Sequence, residues 1–175
     1  MSKPALIIID LQNDYFPHGL FPLANTESTL QHVLQAIEYA QERHIPIIHV
    51  QHVADPNAGI APFFNQGSEG VKIHPDILAA APDAPIIIKH YADAFVETDL
   101  QETLDQLNIN ELILCGMMTQ NCVTFTALAP QAESYHNVTV LSDATTTVSE
   151  ILHLIALNAL STRITLKTVT AYFSD

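Results

Sequence analysis

The chain has 175 residues, enough for one domain with a full hydrophobic core and too few for two comfortable ones. Only 14% of its residues are charged and 48% are apolar, against about 25% charged in soluble domains, so much surface should be buried, part of it between copies in a homo-oligomer, a dimer or tetramer. Nineteen acidic residues against six Lys plus Arg give a net charge of −13, a field that repels phosphate backbones and anionic membranes, so neither nucleic acid nor a membrane is an expected partner.

The first run, "ALIII" before Asp10, is shorter than the apolar core of a signal peptide and far shorter than a membrane span, which makes a cytoplasmic location the expectation. Residues 5–10 read as a strand. Leu30, Val33, Leu34 and Ile37 then recur at helical spacing after a polar "NTES", predicting a helix over 26–44. A second strand is expected at 45–52, and a long loop over 53–85 carries turn signals in "DPNAGIAP" and "NQGSEG"; a loop of that length in a compact domain usually forms a lid or pocket wall. A strand at 85–90 follows, then a helix at 99–107 with Leu100, Leu104 and Leu107 on one stripe. Strands at 111–116, 137–143 and 164–169 complete a set of six, and the nearly all-apolar 150–161 reads as a helix between the sheet and another subunit. Apolar runs alternating with amphipathic segments predict an α/β fold: three layers, doubly wound, one six-stranded and mostly parallel sheet, all in a single domain over 1–175.

In an open parallel sheet ligands bind beyond the carboxyl ends of the strands. Three residues stand there. Asp10 closes a buried strand, where a carboxylate needs a charged or hydrogen-bonding partner, or else serves an Asx turn in "LQNDYF". Lys89, one of four lysines, follows "PIII" and must either find an internal anion or snorkel out. Cys122 falls where a helix should begin, among Thr119, Gln120 and Asn121, and a helix N-terminus would lower a thiol's pKa. A nucleophile, a base and a charge partner from three strands would make a hydrolytic site. Cys115 alternates within a strand and reads as an inert core residue. Two cysteines form no zinc or C-x-x-C pattern, and a regulatory bridge between them is disfavoured in a reducing compartment. No G-x-G-x-x-G or P-loop follows any strand, which removes nucleotide binding.

The segments "IIIDLQNDYF", "GVKIHPDI", "IIIKHYADAFVETDL", "CGMMTQNCVTFTA" and "VTVLSDA" stand in an order and spacing that resembles the isochorismatase-like cysteine hydrolase superfamily, which includes nicotinamidases and N-carbamoylsarcosine amidases. The resemblance implies a catalytic triad of Asp10, Lys89 and Cys122. It also implies a cis peptide between Met117 and Met118, with the N–H groups of Met118 and Cys122 forming an oxyanion hole. Tyr15 occupies an aromatic pocket position of the family, and Phe63, Phe64 and Phe95 are further candidates for substrate-binding walls. The expected reaction is cleavage of a C–N bond in a small amide or ureide through a cysteinyl thioester.

Departures from the family pattern narrow this expectation. Nicotinamidases hold a metal with an Asp-x-His pair and further histidines; here the second strand ends in "HVQHVADP". His49 and His52 stand at odd spacing on that strand, face opposite sides and cannot chelate one ion together. His74 reads as a turn residue. No metal, no cofactor and no nicotinamide substrate are therefore expected. Asp93 stands where relatives often have Ser, adding negative charge near the mouth, and Pro130 should end or kink the helix that Cys122 starts. The rival readings are an isochorismatase-type vinyl-ether hydrolase, which would need a general acid and no thiol, and a non-catalytic binding or assembly subunit on the same scaffold.

Overall fold

The computed structural model describes residues 2–174. Six strands form one parallel sheet: β1 (Pro4–Ile9), β2 (Ile47–His52), β3 (Ile86–Lys89), β4 (Glu111–Met117), β5 (Asn137–Thr146) and β6 (Thr165–Lys167). Their spatial order is β3-β2-β1-β4-β5-β6, so the winding direction reverses between β1 and β4. That reversal opens a crevice at the carboxyl ends of these two neighbouring strands.

Side chains alternate across the sheet and feed two cores. Leu6, Ile8, Ile113 and Cys115 face α1 (Thr26–Glu42), α2 (Pro75–Ala80) and α6 (Val169–Ser174). Ala5, Ile7, Ile9, Leu112, Leu114 and Cys122 belong to the opposite core with α3 (Leu100–Gln106) and α4 (Thr124–Ala127). The central strands are buried on both faces, which is why they read as unbroken apolar runs. β3 is an edge strand, and its outward residues Ile86 and Ile88 remain about half exposed while Ile87 and Lys89 point inward.

Several boundaries differ from the sequence expectation. The segment 53–85 is not all loop: Pro75 opens α2, with Nδ1 of His74 accepting from the Asp76 N–H at 3.3 Å, and Gln12 pairs with Ile73 in an isolated antiparallel bridge. The turn role read for His74 is thus a helix cap. β6 is only three residues long, and Val169, expected in a strand, begins α6 because Asp143 Oδ1 accepts its N–H at 2.8 Å. α4 ends at Ala127, and Pro130 opens a separate short 3-10 turn. In α5 (Glu150–Leu160) only Ala156 and Leu160 are buried; Ile151, Leu154 and Ile155 lie on an open outer face. No described helix is long and apolar enough to cross a membrane.

Candidate active site

β1 ends at Ile9, and the next residue, Asp10, turns into a left-handed backbone conformation at φ 52°. This turn carries the carboxylate over the end of the sheet. On the other side of the crevice β4 runs through Gly116 (φ 112°), where a Cβ would collide with the Ile9 carbonyl, so glycine is required both for the conformation and for the close approach to β1. The Met117–Met118 peptide is cis. A π-helical turn, Thr119–Val123, follows and leads into α4. Cys122 is therefore the fourth residue of a wide turn and not the first of a helix, a difference from the sequence reading.

Lys89 brings the three strands together. Its Nζ lies 2.9 Å from Asp10 Oδ2, 3.2 Å from Cys122 Sγ, 3.0 Å from the Tyr91 carbonyl and 2.9 Å from His52 Nδ1, four acceptors gathered around three ammonium protons. Asp10 and Lys89 are wholly buried and Cys122 is 2% exposed. Lys89 and the Cys122 thiol both approach the Asp10 carboxylate, which places it to take the thiol's proton. Burial alone would lower the lysine's pKa, but the charges of Asp10 and then Cys122 outweigh it and the net shift is upward, which keeps Nζ an ammonium. For Cys122 burial and then the Asp10 charge dominate over the opposing pull of Lys89, pushing the thiol up to about 12. The expectation of a thiol lowered by a helix N-terminus is thus corrected: the resting sulfur is protonated.

His52 was the residue sequence reasoning missed. Parity on β2 puts it on the face opposite His49, and the β2–β3 register sets it directly beside Lys89. That register was the available signal: two strand ends side by side, one histidine and one lysine. His49 instead packs away from the site, its Nε2 3.0 Å from the Ala81 carbonyl. Gln12 was also missed. Its side chain accepts from the His52 N–H and donates to the His52 carbonyl, both at 2.8 Å, and so braces the end of β2.

Ligating atoms of Asp10, His52 and Cys122 lie within 4.8 Å of one another, a spacing that suits a metal ion. The same three groups, however, converge on Lys89 Nζ, so the position of a shared cation is filled by the ammonium. A metal does not fit here without expelling a buried lysine.

Tyr15, Phe63 and Phe64 form one aromatic cluster, with centroids 5.5 Å apart for Tyr15–Phe63 and 4.6 Å for Tyr15–Phe64, and Phe21 joins them at 4.7 Å from Phe63. Phe64 reaches the His52 ring at 5.9 Å. Burial, with the charges of Asp10 and Cys122 adding to it, raises the Tyr15 pKa, so its phenol stays protonated. Phe95 stands apart from this cluster, buried against Tyr135 in the core that holds Cys122. Asp93 accepts the Phe95 N–H at 2.9 Å, and its own pKa is raised by burial. Cys115 and Cys122 are both free thiols in opposite cores. A cavity of about 690 Å³ adjoins the triad through Tyr91, is lined also by Val53, Asp55, His90 and Glu97, and is not lined by the triad itself.

Comparison with known proteins agrees with this geometry. The Isochorismatase domain matches residues 4–171. An isochorismatase family protein of Bacillus subtilis, YddQ, is 36% identical over 131 residues, covering 75% of this chain and 71% of that protein. The nicotinamidase of Escherichia coli is 27% identical over 177 residues, covering 82% and 83% respectively. Among solved structures, an isochorismatase-like hydrolase from Alkaliphilus metalliredigens superposes with a TM-score of 0.88 at 27% identity, over 99% of this chain and 98% of the other. With its strand order, its Asp–Lys–Cys cluster and these matches all in agreement, the chain belongs to the isochorismatase family.

Proposed function

We propose that the protein is a cysteine hydrolase that cleaves the C–N bond of a small, uncharged amide or ureide. One observation carries the reading: a buried ammonium placed 2.9 Å from a carboxylate and 3.2 Å from a thiol. Transfer of the Sγ proton to Asp10 moves one negative charge from oxygen to sulfur, and Lys89 touches both ends of that move, so no net charge is created in the buried site. Sγ then attacks the carbonyl carbon, the carbonyl π electrons move to oxygen, and the N–H groups of Met118 and Cys122 would donate hydrogen bonds to the oxyanion so formed. The tetrahedral adduct collapses, the C–N bond breaks, and the amine leaves with the proton from Asp10. Water, deprotonated by Asp10, attacks the thioester; the C–S bond breaks, the acid is released, and the thiol regains its proton.

A vinyl-ether hydrolase would have no use for a thiol held in this way. The acidic residues Asp55 and Glu97 on the neighbouring cavity disfavour anionic substrates. The open apolar stripe of α5 supports association of the chain with copies of itself.

The test is ammonia release from a panel of small amides and ureides by the wild type and by Cys122→Ala. The variant is expected to keep its fold, since it leaves the Asp10–Lys89 ion pair in place, and to lose turnover by at least about 10³-fold. Turnover persisting in the variant would remove Cys122 as nucleophile.

A further inference from the structure

An ammonium group only donates hydrogen bonds, so with Lys89 Nζ 2.9 Å away His52 Nδ1 turns a lone pair, not a proton, towards it. Nδ1 must present its lone pair, and in a neutral ring the proton then sits on Nε2. Burial, with the Lys89 charge adding to it, pushes the His52 pKa down to about 4, so the ring is neutral at ordinary pH. Gln12 clamps both backbone groups of the residue, which holds the ring's origin still.

Among the described residues Nε2 has no hydrogen-bond partner, and it is not shut away from solvent as His49 Nδ1 is. His52 is also the partly exposed member of its cluster, beside Asp10 and Lys89 at 0% and Cys122 at 2%. A ring nitrogen of His52 lies within 4.8 Å of Cys122 Sγ. The result is an imidazole whose acceptor is committed to Lys89 and whose Nε2–H is left without a partner among the described residues, on a ring close to the attacking sulfur.

We propose that His52 is a substrate-orienting residue whose Nε2–H donates to an uncharged hydrogen-bond acceptor on the substrate, a few bonds from the carbonyl that Cys122 attacks. This rests on the cysteine-hydrolase reading and deepens it. Among small amides and ureides, those carrying an ether, a second carbonyl or a ring nitrogen are selected over hydrocarbon isosteres. A substrate lacking the acceptor would cover a polar N–H and leave it unpaired, which is the basis of the discrimination.

Two measurements test this. The first is the imidazole ¹⁵N spectrum of the wild-type protein at neutral pH. The expected His52 signals are an unprotonated Nδ1 and a protonated Nε2; the opposite tautomer, or an imidazolium, overturns the proposal. The second uses two alkylating probes with one warhead, N-(2-methoxyethyl)chloroacetamide and N-butylchloroacetamide, which differ by an ether oxygen in place of a methylene remote from the reacting carbon. Rates of Cys122 labelling are compared in the wild type, His52→Leu and His52→Gln. One net hydrogen bond corresponds to about fivefold, so the wild type should favour the ether probe by about that factor. The preference should fall to about one in His52→Leu and return in His52→Gln, whose amide can accept from Lys89 and still donate. A probe ratio independent of residue 52 overturns the inference and leaves the hydrolase reading standing. Amide turnover that survives Cys122→Ala removes the hydrolase reading and leaves the tautomer assignment standing.

Discussion

The sulfur of Cys122 sits between a carboxylate that repels a thiolate and an ammonium that attracts one, and burial adds to the carboxylate's side. The thiolate therefore forms only as Asp10 takes the proton, which protects a sealed nucleophile from oxidation between turnovers. A stability consequence follows from the same shift. In the unfolded chain the thiol titrates near its ordinary value of 9.0, and in the folded protein near 12, so the folded state holds this proton more tightly. Its contribution to stability is complete below about pH 9 and is lost as pH rises towards 12. The unfolding free energies of wild type and Cys122→Ala, measured by urea titration from pH 7 to 11, should differ by a constant amount up to about pH 9, and above that the wild type should lose ground. Cys115, raised by burial in the opposite core, is present in both proteins and cancels, whereas Tyr15, which the Cys122 charge helps to raise, adds to the wild type's loss at the top of the range. A difference that stays flat to pH 11 would mean that the fold does not shift the thiol at all, and a wild type that gains ground between pH 7 and 9 would mean that the native sulfur is already ionised.

Asp14 shows how one element is fastened over another. It is 1% exposed; its Oδ1 accepts the Leu20 N–H at 3.0 Å and its Oδ2 the Phe64 N–H at 2.7 Å, which ties the loop carrying Phe63 and Phe64 down beside Tyr15. A Cβ on Gly70 would overlap this carboxylate, so the loop passes as close as backbone allows. Hydrogen bonds to a charged group contribute about 1.5–3 kcal/mol each, and Asp14→Ala should cost at least about 3 kcal/mol while loosening residues 54–65 selectively. Amide exchange at Phe64 should accelerate far more in this variant than exchange in β1 or β4; uniform acceleration would show that the loop has no independent anchorage. Asp14 lay in plain sight in "LQNDYF", yet its sequence neighbours give no sign of a partner fifty residues away. Lys89 and Asp10 were legible because a charge at the end of an apolar run has few options. His52 was not, because it was weighed against His49 as one half of a chelating pair, whereas its partner is on the next strand. α2 was lost for a similar reason: six residues opened by Pro75 are too short to show a helical period. The apolar runs marked the strands most plainly at β1 and β4, which are buried on both faces and so allow no polar alternation.

The whole molecule carries an apolar stripe that its own fold leaves open. Ile151, Leu154 and Ile155 stand at helical spacing on α5 with relative exposures of 73%, 55% and 60%, and Val148, just before the helix, is 44% exposed. Such a patch on a chain with only 14% charged residues is the kind of surface that a second copy covers. A net charge of −13 on each copy opposes that association over distances comparable to the Debye length, about 10 Å at 0.1 M salt. The two effects make opposite demands on ionic strength: screening weakens the repulsion and leaves apolar burial intact. Light scattering behind a sizing column should therefore find an oligomer whose dissociation constant falls as salt rises from 0.02 to 0.3 M. Leu154→Glu, which sets a further negative charge in the stripe, should yield monomer at every salt concentration tested. His153, between these residues, links the same helix inward: its Nδ1 lies 2.9 Å from the Thr119 hydroxyl at the head of the turn that carries Cys122. Dissociation by Leu154→Glu should therefore slow amide turnover while the alkylation rate of Cys115, buried in the opposite core, stays unchanged. A Leu154→Glu protein that remains oligomeric would show that α5 is not the face through which copies meet.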